Sequence, residues 1–213
     1  MNVSSVQHFF PVVLMGAAWL AIFLMTVTVH EVSHGAVAFL CGDETAKAMG
    51  RLTLNPLKHI DWFWTILFPV LLFFSTGGRF VIGMAKPVPV NFFNLKNRKR
   101  GMILVALAGP FANVIFAEGL ILLFRATGID LFLMGVYFNL GLAVFNLIPI
   151  PPLDGSRILA GLLPVRLERL YLKLEPFGFL IVLGLYMSGI LYDWIFPGVN
   201  FLASLLSIPK ITL

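Results

Sequence analysis

Long apolar runs separated by short polar stretches dominate the chain, and the first of them covers residues 10–40. A helix of that length reaches about 45 Å, against a hydrocarbon core of about 30 Å. It is expected to cross a membrane and to stop at Cys41-Gly42-Asp43, with Gly42 as C-cap. Residues 101–124 predict a second span, 131–150 a third that breaks in NLIPIPPLDG, and 174–194 and 195–208 a fourth and a shorter fifth, parted near Asp193 and Pro197-Gly198. Between the first two spans the pattern changes. Residues 44–60 are polar enough to leave lipid; Arg51-Leu52-Thr53-Leu54 alternates like a short strand, and Asn55-Pro56 ends it. Asp61 to Phe74 is apolar again but short, interrupted by Pro69 and closed by Ser75-Thr76-Gly77-Gly78. Arg79 to Asn91 reads as extended chain, its Val88-Pro89-Val90 limited by proline to an edge strand or polyproline conformation. The expected fold is an all-α polytopic membrane protein with about five transmembrane helices, a re-entrant or interfacial hairpin, and short β-strands on the cytoplasmic side. It is one domain over residues 1–213, divided as 10–41, 44–100, 101–125, 131–154 and 174–208.

Composition agrees. The 213 residues are 59% hydrophobic and 12% charged, where a soluble domain has about 25% charged residues. The net charge of +5 does not call for nucleic acid, because basic residues collect on the cytoplasmic side of membrane proteins. With the N-terminus outside and five alternating spans, fourteen of the 15 Lys and Arg residues face the cytoplasm and only Arg125 lies outside. That count requires residues 61–78 not to cross, which a re-entrant segment covered by protein or a wet cavity satisfies. Cys41 is the single cysteine, which excludes an intrachain disulfide and a Cys-rich zinc site. The N-terminus has no basic region ahead of its apolar run, so the first segment is expected to be retained.

The chemistry concentrates in Val29-His30-Glu31-Val32-Ser33-His34-Gly35, an H-E-x-x-H motif inside the first apolar run. On a helix the two histidines lie one turn apart on one face, so both rings can reach one metal ion. Glu31 is placed to take a proton from metal-activated water. The alternative is a pair of histidines packed between helices without metal. Ionisable groups inside a membrane are costly, however, and mark functional sites. A catalytic zinc keeps three protein ligands and one open position. For the third ligand, His8, Asp130 and Asp193 fall on the wrong face, and Glu118 lies toward the outer leaflet. His59 is on the right side but in a flexible polar stretch. Asp154 follows Pro149-Ile150-Pro151-Pro152-Leu153, where a span must unwind, and Gly155 lets the backbone turn after it. A helix cap at a membrane exit would explain the aspartate but not three prolines within the membrane.

HEVSHG at 30–35, GRLTLNPLKHIDW at 50–62, AKPVPVN at 85–91, ALAGPFAN at 106–113 and FNLIPIPPLDGSRIL at 145–159 carry a resemblance. The chain resembles the site-2 protease family of intramembrane zinc metalloproteases, in its compact prokaryotic form without PDZ or CBS modules. Val32-Ser33 within the motif and Met84 before Ala85-Lys86 depart from the usual pattern, away from any expected ligand. The resemblance implies one Zn²⁺ per chain held by His30, His34 and Asp154, with Glu31 as catalytic base and Asn146 near the site, steadying a substrate carbonyl. It also implies a multi-pass protein of the prokaryotic plasma membrane, active toward the cytoplasmic side on single-pass membrane proteins. A helical substrate must unwind to expose its carbonyl, and edges at 51–55 and 87–91 offer main-chain partners by strand addition; the plainer role for them is a hairpin sealing the cytoplasmic mouth. Two other readings stand beside this one. A metal-ion transporter would use the same residues as transport ligands, though repeated halves are not visible. A non-catalytic scaffold of the same fold would have no need of Glu31.

Overall fold

The computed structural model describes residues 3–75, 77 and 85–208, with side chains from Leu14 onward. Thr76, Gly78 to Met84, Lys210 and the His8 side chain, on which parts of the turn, extended-chain and charge expectations fall, lie outside the described residues. Helix α1 (Val3–Leu40) carries the H-E-x-x-H motif in its last third. It ends in a Schellman motif, with Asp43 N–H donating to the Ala38 carbonyl and Gly42 N–H to Phe39. Gly42 sits at φ +108°, the left-handed region that glycine enters without strain.

A short helix α2 (Thr45–Ala48) and a 3₁₀ turn (Pro56–His59) follow. A π-helical segment (Trp62–Leu67) then runs into α3 (Phe68–Ser75). Asp61 caps the π segment by accepting the N–H groups of Phe63 and Trp64, both at 3.0 Å. The wide turns end just before Pro69, whose ring would crowd the Thr65 carbonyl in a regular helix. No residue of Trp62–Ser75 is buried.

Helix α4 (Arg98–Thr127) is central. It packs along α1, α5 (Asp130–Asn146) and α6 (Asp154–Leu162), and α9 (Ile190–Leu205) closes against α5. Ala117, Leu120 and Ile121 of α4, Val136 and Leu140 of α5 and Ala203 of α9 form the main apolar core. Between α6 and α9 the chain runs through α7 (Val165–Leu172), a 3₁₀ turn (Glu175–Phe177) and α8 (Gly178–Met187). Glu168 of α7 is fully buried and paired with Arg98 and Lys99, which ties α7 to the start of α4.

Among the described residues three stretches are long and apolar enough to cross a membrane: Leu14–Leu40, Arg98–Thr127 and Val165–Met187. Trp62–Ser75, Asp130–Asn146 and Ile190–Leu205 are shorter apolar helices. The last two helices part at Ser188–Gly189, where Gly189 has φ +82°, rather than at Asp193 or Pro197, which α9 contains.

The expected β-strands are a correction: among the described residues no strand forms. Residues 51–55 and 85–91 do run outside any helix, but the groups a ladder would pair go elsewhere. Pro87 and Pro89 have no N–H. Arg51 Nη2 donates to the Lys86 and Pro87 carbonyls, Glu31 accepts the Val88 N–H, and Asp43 accepts the Asn91 N–H.

Candidate metal centre

One turn of α1 brings His30 and His34 onto the face that meets α4. Both are almost out of solvent, 6% and 8% exposed, and their rings stand edge to face at 4.6 Å. Such close helix contact requires Gly109 of α4. A Cβ there would lie 2.6 Å from His30 Cε1 and collide with His34 Nε2 as well. Pro110 follows it, and because proline has no N–H the Ala106 carbonyl one turn back loses its helical donor.

Each imidazole is oriented from behind. His34 Nδ1 lies 2.7 Å from the Val105 carbonyl, which can only accept, so Nδ1 carries the proton and Nε2 a lone pair. His30 Nδ1 lies 3.2 Å from the Asn113 amide. Asn113 is fully buried, and as placed its Oδ1 has no partner. Turning the amide end for end lets Oδ1 accept from Nδ1–H and leaves His30 Nε2 with its lone pair.

Asp154 arrives from the far end of the chain, in the first turn of α6. Gly155 behind it is required by space: a Cβ would strike the carbonyls of Leu147 and Ile148. Asp154 Oδ2 stands 3.2 Å from His30 Nε2 and 3.3 Å from His34 Nε2, and the two Nε2 atoms are 3.0 Å apart. It has no hydrogen-bond partner. With both rings in that tautomer, three lone-pair donors face one point, an arrangement that calls for a cation. The sides of this triangle match the separation of about 3.3 Å between ligands of a tetrahedral ion bound at 2.0–2.1 Å. Two nitrogens and a carboxylate oxygen suit zinc chemically. The residues present fit the ion.

These donors open onto a cavity of about 880 Å³, also lined by Glu31, Asn146, Asp61, Lys86, Val88 and Arg157. Glu31 is in the cavity but outside the donor triangle. Asn146, at the end of α5, lines the cavity while its Nδ2 donates to Leu142 of its own helix. The other ligand candidates are elsewhere. His59 is buried with Nε2 against the Thr53 carbonyl at 2.9 Å, and Glu118 is exposed on α4. Gly109, Asn113 and the Val105 carbonyl were not singled out from sequence. The first two lie in the ALAGPFAN block, whereas a main-chain carbonyl leaves no mark in the sequence.

Helical spans around a buried two-histidine, one-aspartate cradle, with a glutamate in the same cavity, define a membrane metalloprotease. The comparisons agree. The family model described as peptidase family M50 matches residues 18–128 and 122–189, and the chain belongs to that family. It is similar to "Putative zinc metalloprotease YwhC" of Bacillus subtilis, at 37% identity over 83% of each chain. It is also similar to "Putative zinc metalloprotease Rip2" of Mycolicibacterium smegmatis, at 32% identity over 86% of this chain and 70% of the relative. No solved structure matches it significantly.

Proposed function

We propose that the chain is an intramembrane zinc metalloendopeptidase that hydrolyses peptide bonds within or near the transmembrane segment of single-pass membrane proteins. The observation that carries this reading is the convergence of His30, His34 and Asp154, with an orphaned Asp154 Oδ2, in a cavity that also contains Glu31. Zinc held by these three residues supplies Lewis acidity and makes water acidic near neutral pH. Glu31 takes the proton of the attacking water and passes it to the leaving amine nitrogen. Asn146 hydrogen-bonds the substrate carbonyl as charge develops on its oxygen. Gly109, Asn113 and the Val105 carbonyl keep the two imidazoles in place, and the surrounding helices exclude bulk water.

The protein crosses the plasma membrane of a prokaryotic cell through α1, α4, α5 and α9. Helix α9 begins beside the end of α5, where Leu191 packs with Ile148 and Leu153, and ends beside Arg125, whose Nη2 donates to the Ser207 carbonyl at 3.0 Å. This argues against the expected separate crossing by α8. Its N-terminus is outside and the metal lies toward the cytoplasm. The distribution of Lys and Arg supports this orientation. Trp62–Ser75 is short and apolar, which supports a re-entrant or interfacial hairpin. Co-expression of wild type and Glu31→Gln with a readout of the membrane proteome tests the function. Fragments of single-pass proteins should appear only with wild type; identical fragment patterns would refute proteolysis by this site.

A further inference from the structure

Glu31 has a main-chain partner in the segment that lines the cavity beside it. Its Oε2 accepts the Val88 N–H at 2.8 Å, across 57 residues of sequence. That donor is held from several sides. Pro87 and Pro89 flank it with constrained φ and no N–H of their own, so Val88 has the one main-chain donor from 87 to 89. Arg51, itself buried, donates through Nη2 to the carbonyls of Lys86 at 2.9 Å and Pro87 at 3.3 Å. Lys86 N–H donates in turn to the His59 carbonyl at 2.9 Å. The Val88 side chain is buried over Gly35, where a Cβ would come within 2.6 Å of Val88 Cγ1. Gly35 follows His34 directly, so the segment 85–90 is seated on the same helix that supplies the two imidazoles and Glu31.

We propose that the Val88 N–H is a positioning group for Glu31, with Arg51 acting behind it through the carbonyls on either side of Pro87. A glutamate has three rotatable bonds, and a base must be held within about 0.5 Å of its working position. Fixing Oε2 leaves the other oxygen to exchange the proton. The role given to the segment 87–91 changes accordingly. Its donor at 88 serves the base, and a substrate strand added to this edge finds its next donor at Val90. This inference rests on Glu31 acting as the catalytic base.

Two measurements on the full chain in detergent test it. The flanking prolines have no amide hydrogen, so exchange at the Val88 amide is read in isolation. It should be slow in wild type and at least tenfold faster in Glu31→Ala with zinc still bound; equal exchange in the two proteins overturns the contact. The second measurement is hydrolysis of a short unstructured peptide by Val88→Pro, which deletes the donor, and by Val88→Ala, which keeps it. Val88→Pro should lose at least tenfold more in kcat than Val88→Ala, about 1.4 kcal/mol, with KM and zinc content equal in the two variants. A loss confined to KM would assign the donor to the substrate, and equal losses in both variants would assign the effect to packing on Gly35; either overturns the proposal. A wild type no faster than Glu31→Gln on any peptide fails the protease reading and removes the positioning role with it. The exchange comparison still decides the contact in that case, and also where Val88→Pro does not fold.

Discussion

Replacing His30, His34 or Asp154 by alanine removes one of three donors from a cradle that has no spare ligand among the described residues. Purified wild type should contain about one zinc per chain, each of the three variants should lose it, and Glu31→Gln should retain it while losing turnover. Metal analysis of the five proteins checks this, and full zinc in Asp154→Ala would strike Asp154 from the ligand set. Gly109 offers a sharper steric test. Alanine there puts a methyl group against both imidazoles, so zinc affinity should fall at least tenfold, about 1.4 kcal/mol. Gly119→Ala is the control on the same helix, since a Cβ there meets nothing within 4 Å. It should keep its zinc and gain a little helix stability.

Between α1 and α4 the connection is fastened by one buried carboxylate. Asp43 accepts the Asn91 N–H at 2.7 Å, Asn94 Nδ2 at 2.9 Å and the Thr45 N–H at 3.1 Å. This pins the far end of the segment 85–91 to the end of the metal-binding helix, and Lys96 N–H adds a bond to the Cys41 carbonyl at 3.0 Å. Burial pushes the Asp43 carboxyl up, but the donors from Thr45, Asn94 and Asn91 outweigh it and hold the group below its usual range. A depressed folded-state pKa means that this contribution is complete above the unfolded value of about 3.9 and is lost as the pH falls through the lower folded value. Acid titration of thermal stability should therefore show a loss below about pH 4 that is absent in Asp43→Asn. Asp43→Ala should cost about 1–3 kcal/mol, because it leaves buried N–H donors without an acceptor.

For the molecule as a whole, sidedness is open to direct measurement. In a Cys41→Ser background, cysteines placed at the exposed positions Lys96 and Arg166 should resist a membrane-impermeant thiol reagent in intact cells. One at Thr127, exposed at the opposite end of α4, should react. Reaction at 96 from outside would invert the topology and place the metal toward the outer face. Glu168 is a poor site for such a probe, since it is buried against Arg98 and Lys99.

What the sequence determined by itself was local or pairwise at short range. Helical spacing put His30 and His34 on one face, Gly42 ended α1, and the prolines before Asp154 broke the third span, while the new helix that opens with that aspartate came from the structure. Five sequence blocks carried the resemblance to the family, and through it the expectation of His30, His34 and Asp154 as ligands. Extended chain at 51–55 and 85–91 was legible from alternation and proline, but its pairing was not. Strand formation depends on which distant groups compete for the main-chain donors and acceptors, and here Glu31, Asp43 and Arg51 take several of them. Tertiary structure alone decided that α4 lies against the histidines, which turned Gly109 from a helix-weakening residue into the space that admits both rings. It also decided the supports behind each imidazole, because a carbonyl at Val105 or an amide at Asn113 acquires a role only when another helix is brought within about 3 Å. Residues 105 and 34, or 31 and 88, meet through packing that no local pattern encodes.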